Sequence, residues 1–428
     1  MVNSIAIQPA GPIFGSIRPP GSKSLTNRAL VCAALADGQS LLTGALDSED
    51  TGVMIDALRQ LGVGIEHDRR AHSICVQGCA GRVQSPDVDL YVAASGTTMR
   101  FLTALVSLGR GFFRLDGTAR MRERPIQDLL DAMQNLGVDA RSELGNGCPP
   151  VVVHAAGLPG GVVEIAGSLS SQFLSGLLMA APYATGPIRL VVHGELVSKP
   201  YVRMTCQIMA AFGVAVECRE FSEFLILAPT CYRPCARLSI EPDATAASYF
   251  LAAAAITGGR ITVEGLTADS LQGDVAFVDC LAAMGCRVEK RPGGITVDGS
   301  PGLHGIEADM NAVSDTAQTL AAVALFAKGP TTIRGVAHIR HKETDRIGAL
   351  ACELRKFGAE VEELPDGLRI VPGLLRGAEI DTYDDHRMAM SLALVGLRVP
   401  GVVIRDPDCT RKTYPEFFQD LERLGKRT

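Results

Sequence analysis

The sequence predicts an α/β protein of two similar lobes, each made of three repeated units and joined by two crossover strands. Two observations carry this. The first is a pattern that occurs six times: a helical apolar stretch, a large apolar residue, Gly, then a strand-like run. It falls at Leu61-Gly62, Leu136-Gly137, Phe212-Gly213, Met284-Gly285, Phe357-Gly358 and Leu424-Gly425, at intervals of 75, 76, 72, 73 and 67 residues. The second is that the sixth copy has only Lys426-Arg427-Thr428 after its Gly, while the N-terminus offers a strand, Ser4 to Gln8, with no helix of its own. The N-terminal strand is therefore expected to complete the sixth unit. The first lobe would span 21–240 with three units. The second would combine 1–20 with 241–428.

Each element of the repeat has a local cause. Met54, Ile55, Ala57 and Leu58 form an apolar helix face before Gly62, and Leu350 to Phe357 do the same before Gly358. Gly after such a face suits the left-handed position that ends a helix. Val214 to Cys218 and Ala359 to Glu362 alternate, as half-buried strands do.

Composition narrows the function classes. The chain has 428 residues, 47% hydrophobic, with 45 Gly and no Trp. That is too long for one ordinary core. The net charge of −6 gives no overall basic field for nucleic acid. Met1 to Ala10 lacks the basic and apolar regions of a signal peptide, and no apolar run approaches the ~18 residues of a membrane span. The twelve cysteines are scattered without a CxxC pair, which suggests reduced thiols, mostly buried, in a cytoplasmic protein.

Against this acidic background several local clusters suit anions. Pro19-Pro20-Gly21 feeds Ser22-Lys23-Ser24, a helix-like segment from Ala29 to Leu35 follows, and Arg28 lies one turn beyond Ser24, so the run suits an anion. The run fails the nucleotide phosphate-loop spacing, because Gly15 and Gly21 are separated by five residues and Ser22 precedes Lys23. A solvated basic turn is the plain alternative. Ser95-Gly96-Thr97-Thr98-Met99-Arg100 precedes an apolar helix and suits helix capping or an anion. Arg120 to Pro125 is a basic turn. Gly167 to Phe173 carries a Ser-Ser-Gln triple, and Ser198-Lys199-Pro200-Tyr201 is a turn. His338 to Arg346 mixes two His, acids and bases. Its Arg340, Lys342 and Arg346 argue against a metal, and no zinc spacing fits. Asp384 and Asp385 cap a helix that carries Arg387, and Lys412-Thr413-Tyr414-Pro415 enters the last one.

Taken together, PGSKSLTNRAL, SLSSQFLSGLLMAAP, EPDATAASYFLAAAAI, RHKETDRI, DDHRMAM and TRKTYPEFF resemble the 5-enolpyruvylshikimate-3-phosphate synthase family over essentially the whole chain. The resemblance implies βαβαββ-type units in an inverse α/β barrel-like arrangement. It implies transfer of the enolpyruvyl group of phosphoenolpyruvate to the 5-hydroxyl of shikimate 3-phosphate, in the shikimate pathway of aromatic amino-acid biosynthesis. By that resemblance Lys23, Ser24, Arg28, Ser170, Ser171, Gln172, Ser198, Tyr201, Asp315, His338 and Lys342 bind shikimate 3-phosphate. Lys23, Gly96, Thr97, Arg124, Gln172, Arg346, Arg387 and Lys412 bind phosphoenolpyruvate. Lys23, Asp315, Lys342 and Glu343 are the catalytic set, with Asp315 taking the 5-hydroxyl proton and Glu343 helping to protonate the methylene carbon. Proton transfer and charge stabilisation suffice, so no metal or organic cofactor is implied, and a monomer is expected.

Two positions depart from the family. Ala93-Ala94 stands where the family usually has Gly-Asn, which implies weaker binding of the inhibitor glyphosate. His338 stands where an Asn on the shikimate side is common. The nearest rival is the enolpyruvyl transferase acting on UDP-N-acetylglucosamine. That family carries a Cys five residues before the Arg of its Arg-Pro loop. Here that position is Ala119, and no Cys occurs from 80 to 147. A phosphometabolite sensor without catalysis is a rival of another class, and the presence of Lys23, Asp315 and Glu343 speaks against it.

Overall fold

Residues 3–83 and 87–426 are described by a computed structural model. Residues 1–2 and 427–428, assigned by expectation to the second lobe, lie outside the described residues. Gly21–Ile240 form one compact unit, here the central unit. The residues up to Pro20 and those from Glu241 form the other, the terminal unit.

The central unit holds helices α1 (Lys23–Leu35), α2 (Glu49–Gln60), α3 (Gly96–Val106), α4 (Gln127–Asn135), α5 (Ser171–Ala180) and α6 (Lys199–Ala211). Three four-stranded sheets accompany them. In the second, Val88–Tyr91 pairs parallel with Arg110–Asp116, which pairs antiparallel with Val151–Ala156, which pairs antiparallel with Asp139–Ser142. The third sheet repeats this order with Gly161–Ala166, Ile188–His193, Glu223–Ile226 and Glu217–Arg219. The first does so too, but its parallel strand is Leu238–Ser239, from the far end of the unit. The repeat is thus βαβαββ.

The terminal unit holds α7 (Ala244–Thr257), α8 (Phe277–Ala283), α9 (Ala317–Ala324), α10 (Arg346–Lys356), α11 (His386–Ala393) and α12 (Phe417–Gly425). Its first sheet takes its parallel strand, Phe14–Ile17, from the N-terminal segment. Its third has three described strands, Glu379–Ile380, Val403–Arg405 and Ser4–Ala6, the last pairing antiparallel as the hairpin strand does in the other repeats.

Two kinds of helix result. In α7, α9 and α11 every residue is buried. The same is true of α3, and of α1 from Leu25 onward. Outer helices bury one face only, as α2 does with Met54, Ile55, Ala57 and Leu58. Each buried leucine or phenylalanine of an inner helix contributes about 2 kcal/mol from apolar surface removed from water. The inner helices lie side by side with their first turns level. In the terminal unit Ser248, Thr319 and Ser391, all within two turns of their helix starts, form a hydroxyl chain with spacings of 3.2 and 3.3 Å.

Five of the six repeat glycines end their helices in the left-handed region, with φ of 91° at Gly62, 87° at Gly137, 84° at Gly213, 105° at Gly285 and 99° at Gly358. An L side chain there costs roughly 1 kcal/mol. Gly425 differs: it is the last residue of α12, and Lys426 takes the cap position in right-handed conformation. Three further expectations are corrected. Val214 to Val216 are not strand, and pairing begins only at Glu217. The helix after the Ser-Lys-Ser cluster starts at Lys23, not Ala29, because Ser22 Oγ accepts from the Leu25 N–H and caps it. The cysteines are not mostly buried: Cys32, Cys286 and Cys409 are, six are intermediate, and Cys218, Cys231 and Cys352 are exposed.

Gly176 sits where α5 packs closely on α3. A Cβ there would lie 2.8 Å from the Arg100 carbonyl oxygen. Backbone cannot yield as a side chain can, so Gly176→Ala should destabilise the protein by about 1–3 kcal/mol. Denaturant unfolding of the two proteins measures this, and an unchanged midpoint would remove the steric argument.

Candidate active site

The polar clusters gather at or near the N-terminal ends of helices, inner and outer alike, where backbone N–H groups are unpaired and the helix dipole is positive.

In the central unit Lys23 opens α1. Its Nζ lies 3.8 Å from the Asp50 carboxylate, whose side chain is nearly buried. Thr97 donates to the same carboxylate at 3.3 Å, and Asn27 donates to Thr97 at 3.1 Å. Lys23, Thr97 and Asp50 therefore belong to one network. Arg28 is 1% exposed. Its Nε donates to Thr205 Oγ1 at 2.8 Å, Nη1 to the Ser24 carbonyl at 3.0 Å and Nη2 to the Tyr201 carbonyl at 3.3 Å. The guanidinium also lies over the rings of Phe101 and Tyr201, at 5.2 and 5.9 Å. All three acceptors are neutral. Burial pushes Arg28 down to about 10, which leaves it charged at neutral pH. These bonds use three of its five N–H donors.

Gly96 opens α3 beneath two other cations. A Cβ at Gly96 would sit 2.6 and 2.8 Å from the Arg124 guanidinium nitrogens and 2.9 Å from Arg100 Nη1. Only glycine admits both. Arg100 donates to the Gly96 and Pro125 carbonyls, and Arg124 Nη1 lies 3.5 Å from the Ala94 carbonyl. Ala93 has φ +46°, a left-handed conformation that alanine disfavours. Ser95 caps α3 through the Thr98 N–H. Ser170 caps α5 through the Gln172 N–H at 3.2 Å, beside the buried Ser171. Ser198 stands at the N-cap position of α6 in left-handed conformation, with φ +54°, one turn before Tyr201.

In the terminal unit the charges are paired. Arg346, the first residue of α10, is 1% exposed. Its Nε donates to Asp385 at 2.7 Å, Nη2 to Glu343 at 2.8 Å and Nη1 to Asp315 at 3.4 Å. Burial works against its charge, but Asp385 and Glu343 overcome that and hold its affinity for the proton above the ordinary value. Arg387 Nη2 donates to the other Asp315 oxygen at 2.7 Å, and Lys412 Nζ lies 3.7 Å from Glu343. Asp315 thus bridges Arg346 and Arg387, while Glu343 bridges Arg346 and Lys412. His338 Nε2 lies 3.0 Å from Ser314 Oγ. Burial, then the nearby Lys342, push His338 down to about 3, so the ring is neutral at physiological pH.

The structure therefore gathers Asp315, Glu343, Arg346, Arg387 and Lys412 in one network, with His338 and Lys342 beside it. It gathers Lys23 with Thr97, Arg28 with Ser24 and Tyr201, and Gly96 with Arg124. Six residues of these networks were not singled out from sequence as site residues: Asn27, Asp50, Arg100, Thr205, Ser314 and Asp385. Thr205 lies four residues beyond Tyr201 on α6, a spacing that could have signalled a shared face. Asp50 reads only as an acidic residue at a helix start. Among the described residues no group of three or more His, Cys, Asp or Glu is arranged to hold a metal.

The clusters of each unit are rich in cations and helix N-termini, a composition suited to carboxylate and phosphate groups. The comparisons with known proteins are specific about the class. Residues 7–421 match the family model for EPSP synthase (3-phosphoshikimate 1-carboxyvinyltransferase). The 3-phosphoshikimate 1-carboxyvinyltransferase of Nostoc punctiforme is 48% identical over 96% of this chain and 97% of its own. The chloroplastic enzyme of Arabidopsis thaliana is 47% identical over 99% of this chain and 85% of its own. Among solved structures, EPSP synthase of Acinetobacter baumannii matches with TM-score 0.82 at 27% identity, covering 98% of both chains. NikO, an enolpyruvyl transferase of Streptomyces tendae, shares the fold with TM-score 0.79 at 22% identity. The chain belongs to the EPSP synthase family, a family of transferases.

The low proton affinity of His338 has a consequence for stability. Its affinity is depressed in the folded state, so the unfolded chain binds the extra proton first as pH falls. Stability tied to His338 is complete above the ordinary value near 6.5 and drains as pH falls toward 3. Between pH 7 and 4.5 the protein should lose about 2–3 kcal/mol relative to His338→Asn. Denaturant unfolding of both proteins at the two pH values tests this, and an equal gap at both would mean the ring is not held neutral.

Proposed function

We propose that this protein transfers the 1-carboxyvinyl group of phosphoenolpyruvate to the 5-hydroxyl of shikimate 3-phosphate and releases phosphate. The observation that carries the reading is the bridged arrangement in which Asp315 and Glu343 share Arg346 and are each held by a second cation. It puts two carboxylates inside a cluster built for anions, as an addition–elimination needs.

The roles follow from the chemistry of each group. Asp315 accepts the 5-hydroxyl proton as its oxygen bonds to C2 of phosphoenolpyruvate, while C3 is protonated with the help of Glu343. The tetrahedral adduct then loses a proton from C3 and expels phosphate, reversing the proton movement. Arg124, Arg346, Arg387 and Lys412, with Gly96, Thr97 and Gln172, hold the carboxylate and phosphate of phosphoenolpyruvate, for which the planar guanidinium fork is suited. Ser24, Arg28, Ser170, Ser171, Gln172, Ser198, Tyr201, His338 and Lys342 hold shikimate 3-phosphate. The buried Arg28, bonded only to neutral acceptors, supports a phosphate ligand there. Lys23 serves both substrates at the reacting centre, and Lys342 adds charge stabilisation. His338 acts as a neutral hydrogen-bonding group, consistent with its depressed proton affinity. No helix among the described residues is long and apolar enough to cross a membrane. The twelve free thiols support a reducing, cytoplasmic setting.

The inhibitor glyphosate binds this enzyme weakly on the same reading. Ala94, whose carbonyl faces Arg124, offers no side-chain amide to it.

Three measurements test these roles. Phosphate release should require shikimate 3-phosphate and should not occur with UDP-N-acetylglucosamine; no turnover with the first acceptor overturns the reading. Asp315→Ala should lower kcat by about 10²–10⁴-fold, and full activity would remove it as the base. Ala94→Asn should lower the glyphosate inhibition constant, and an unchanged constant would sink the tolerance argument.

A further inference from the structure

Arg387 reaches Asp315 from the start of α11, and what aims it there is a turn in an unfavourable conformation. Thr382–Asp385 is a β-turn closed by the Asp385 N–H donating to the Thr382 carbonyl at 2.9 Å. Its two central residues, Tyr383 and Asp384, have φ of +56° and +55°. Both being left-handed makes this a type I′ turn, which normally selects Asn and Gly. Tyrosine is a poor occupant of that region. A non-glycine turn of this kind persists only where its surroundings over-determine it.

The surroundings come from one helix. Asp385, fully buried, accepts from Arg346 at the first residue of α10 and caps α11 by accepting from the Arg387 N–H at 2.9 Å. Two turns further along α10, on the same face, is Glu353, also fully buried. One of its oxygens accepts from the Tyr383 hydroxyl at 2.7 Å. The other accepts from the Asp381 N–H at 3.0 Å and pairs with Lys356 at 2.7 Å. Lys356 in turn binds the Asp381 carboxylate at 2.8 Å. The segment 381–385 is therefore tied to α10 at both ends, by Arg346 and by Glu353. The Tyr383 side chain is not held by core packing: the residue is 41% exposed, and its hydroxyl is the tethered part.

We propose that Glu353 and Tyr383 are positioning residues of the transfer reaction: the hydroxyl–carboxylate tether holds the left-handed turn that sets Asp385 and, through it, the direction of Arg387. Neither residue touches a reacting group. The inference rests on the assignment of Arg387 to phosphoenolpyruvate.

The test is steady-state kinetics with both substrates varied. Tyr383→Phe keeps the ring and the conformational penalty but removes the tether. It should raise the KM for phosphoenolpyruvate about tenfold, the size of a lost hydrogen bond to a carboxylate, with the KM for shikimate 3-phosphate within twofold of wild type. Tyr383→Gly removes both tether and penalty, since glycine enters the left-handed region freely, and should lie closer to wild type than Tyr383→Phe. That order is the discriminating result, because a role in packing or general stability would make glycine the worse variant. The inference is overturned by an unchanged KM for phosphoenolpyruvate in Tyr383→Phe, by equal rises for both substrates, or by glycine ranking below phenylalanine. An active wild type with any of these leaves the transfer reaction standing. A wild type that turns over neither substrate overturns the reaction and this inference with it.

Discussion

Complete enclosure of the inner helices is the constraint on which the rest depends. When α7, α9 and α11 are buried along their whole length, as α3 is, the groups on their sides are mainly apolar or small, and polar ones do best when bonded to a neighbour. Ser248, Thr319 and Ser391 meet the last condition by bonding to one another. Much of the charge then enters near a helix start, as at Lys23, Arg346 and Arg387, where the unpaired N–H groups already favour anions.

The two units solve the problem of buried cations differently. Arg346 is surrounded by carboxylates from Asp385, Glu343 and Asp315, and its charge is stabilised despite burial. Arg28 is equally buried but meets only a hydroxyl, two carbonyls and two aromatic rings. Its weakened hold on the proton measures what that arrangement costs. A structural ion pair would have supplied a carboxylate. In the proposed function the place of that carboxylate is taken by the phosphate of shikimate 3-phosphate.

How much of this the sequence disclosed depends on whether the cause is local. The repeat glycines were legible because a left-handed residue after a helix is a property of one position. Gly425 sits in the same pattern yet is helical, because the pattern records a sequence preference and not the chain's course after it. The strand Phe14–Ile17 escaped notice because its identity comes from pairing with Arg260–Glu264, far away in sequence. Val214 to Val216 alternate convincingly but have no partner, so they are not strand. In the site, most of the polar clusters stood out by residue type, while the individual roles, Asp315's above all, came only from the family resemblance. Asp50 and Thr205 did not stand out, since each is an ordinary helix residue made special by what folds against it. The left-handed Tyr383–Asp384 turn was equally hidden, because nothing in Thr-Tyr-Asp-Asp favours it without Glu353.

An acidic protein that binds polyanions must keep its cations ready without letting them repel one another apart. Asp315 and Glu343 do this in the terminal unit by standing between Arg346, Arg387 and Lys412. The carboxylates occupy the donors that an incoming carboxylate or phosphate needs. In the proposed reaction a ligand that takes those donors leaves Asp315, which holds the cations in place before binding, with weaker cationic support when it accepts the proton. On that reading the network serves order in one state and proton transfer in the next.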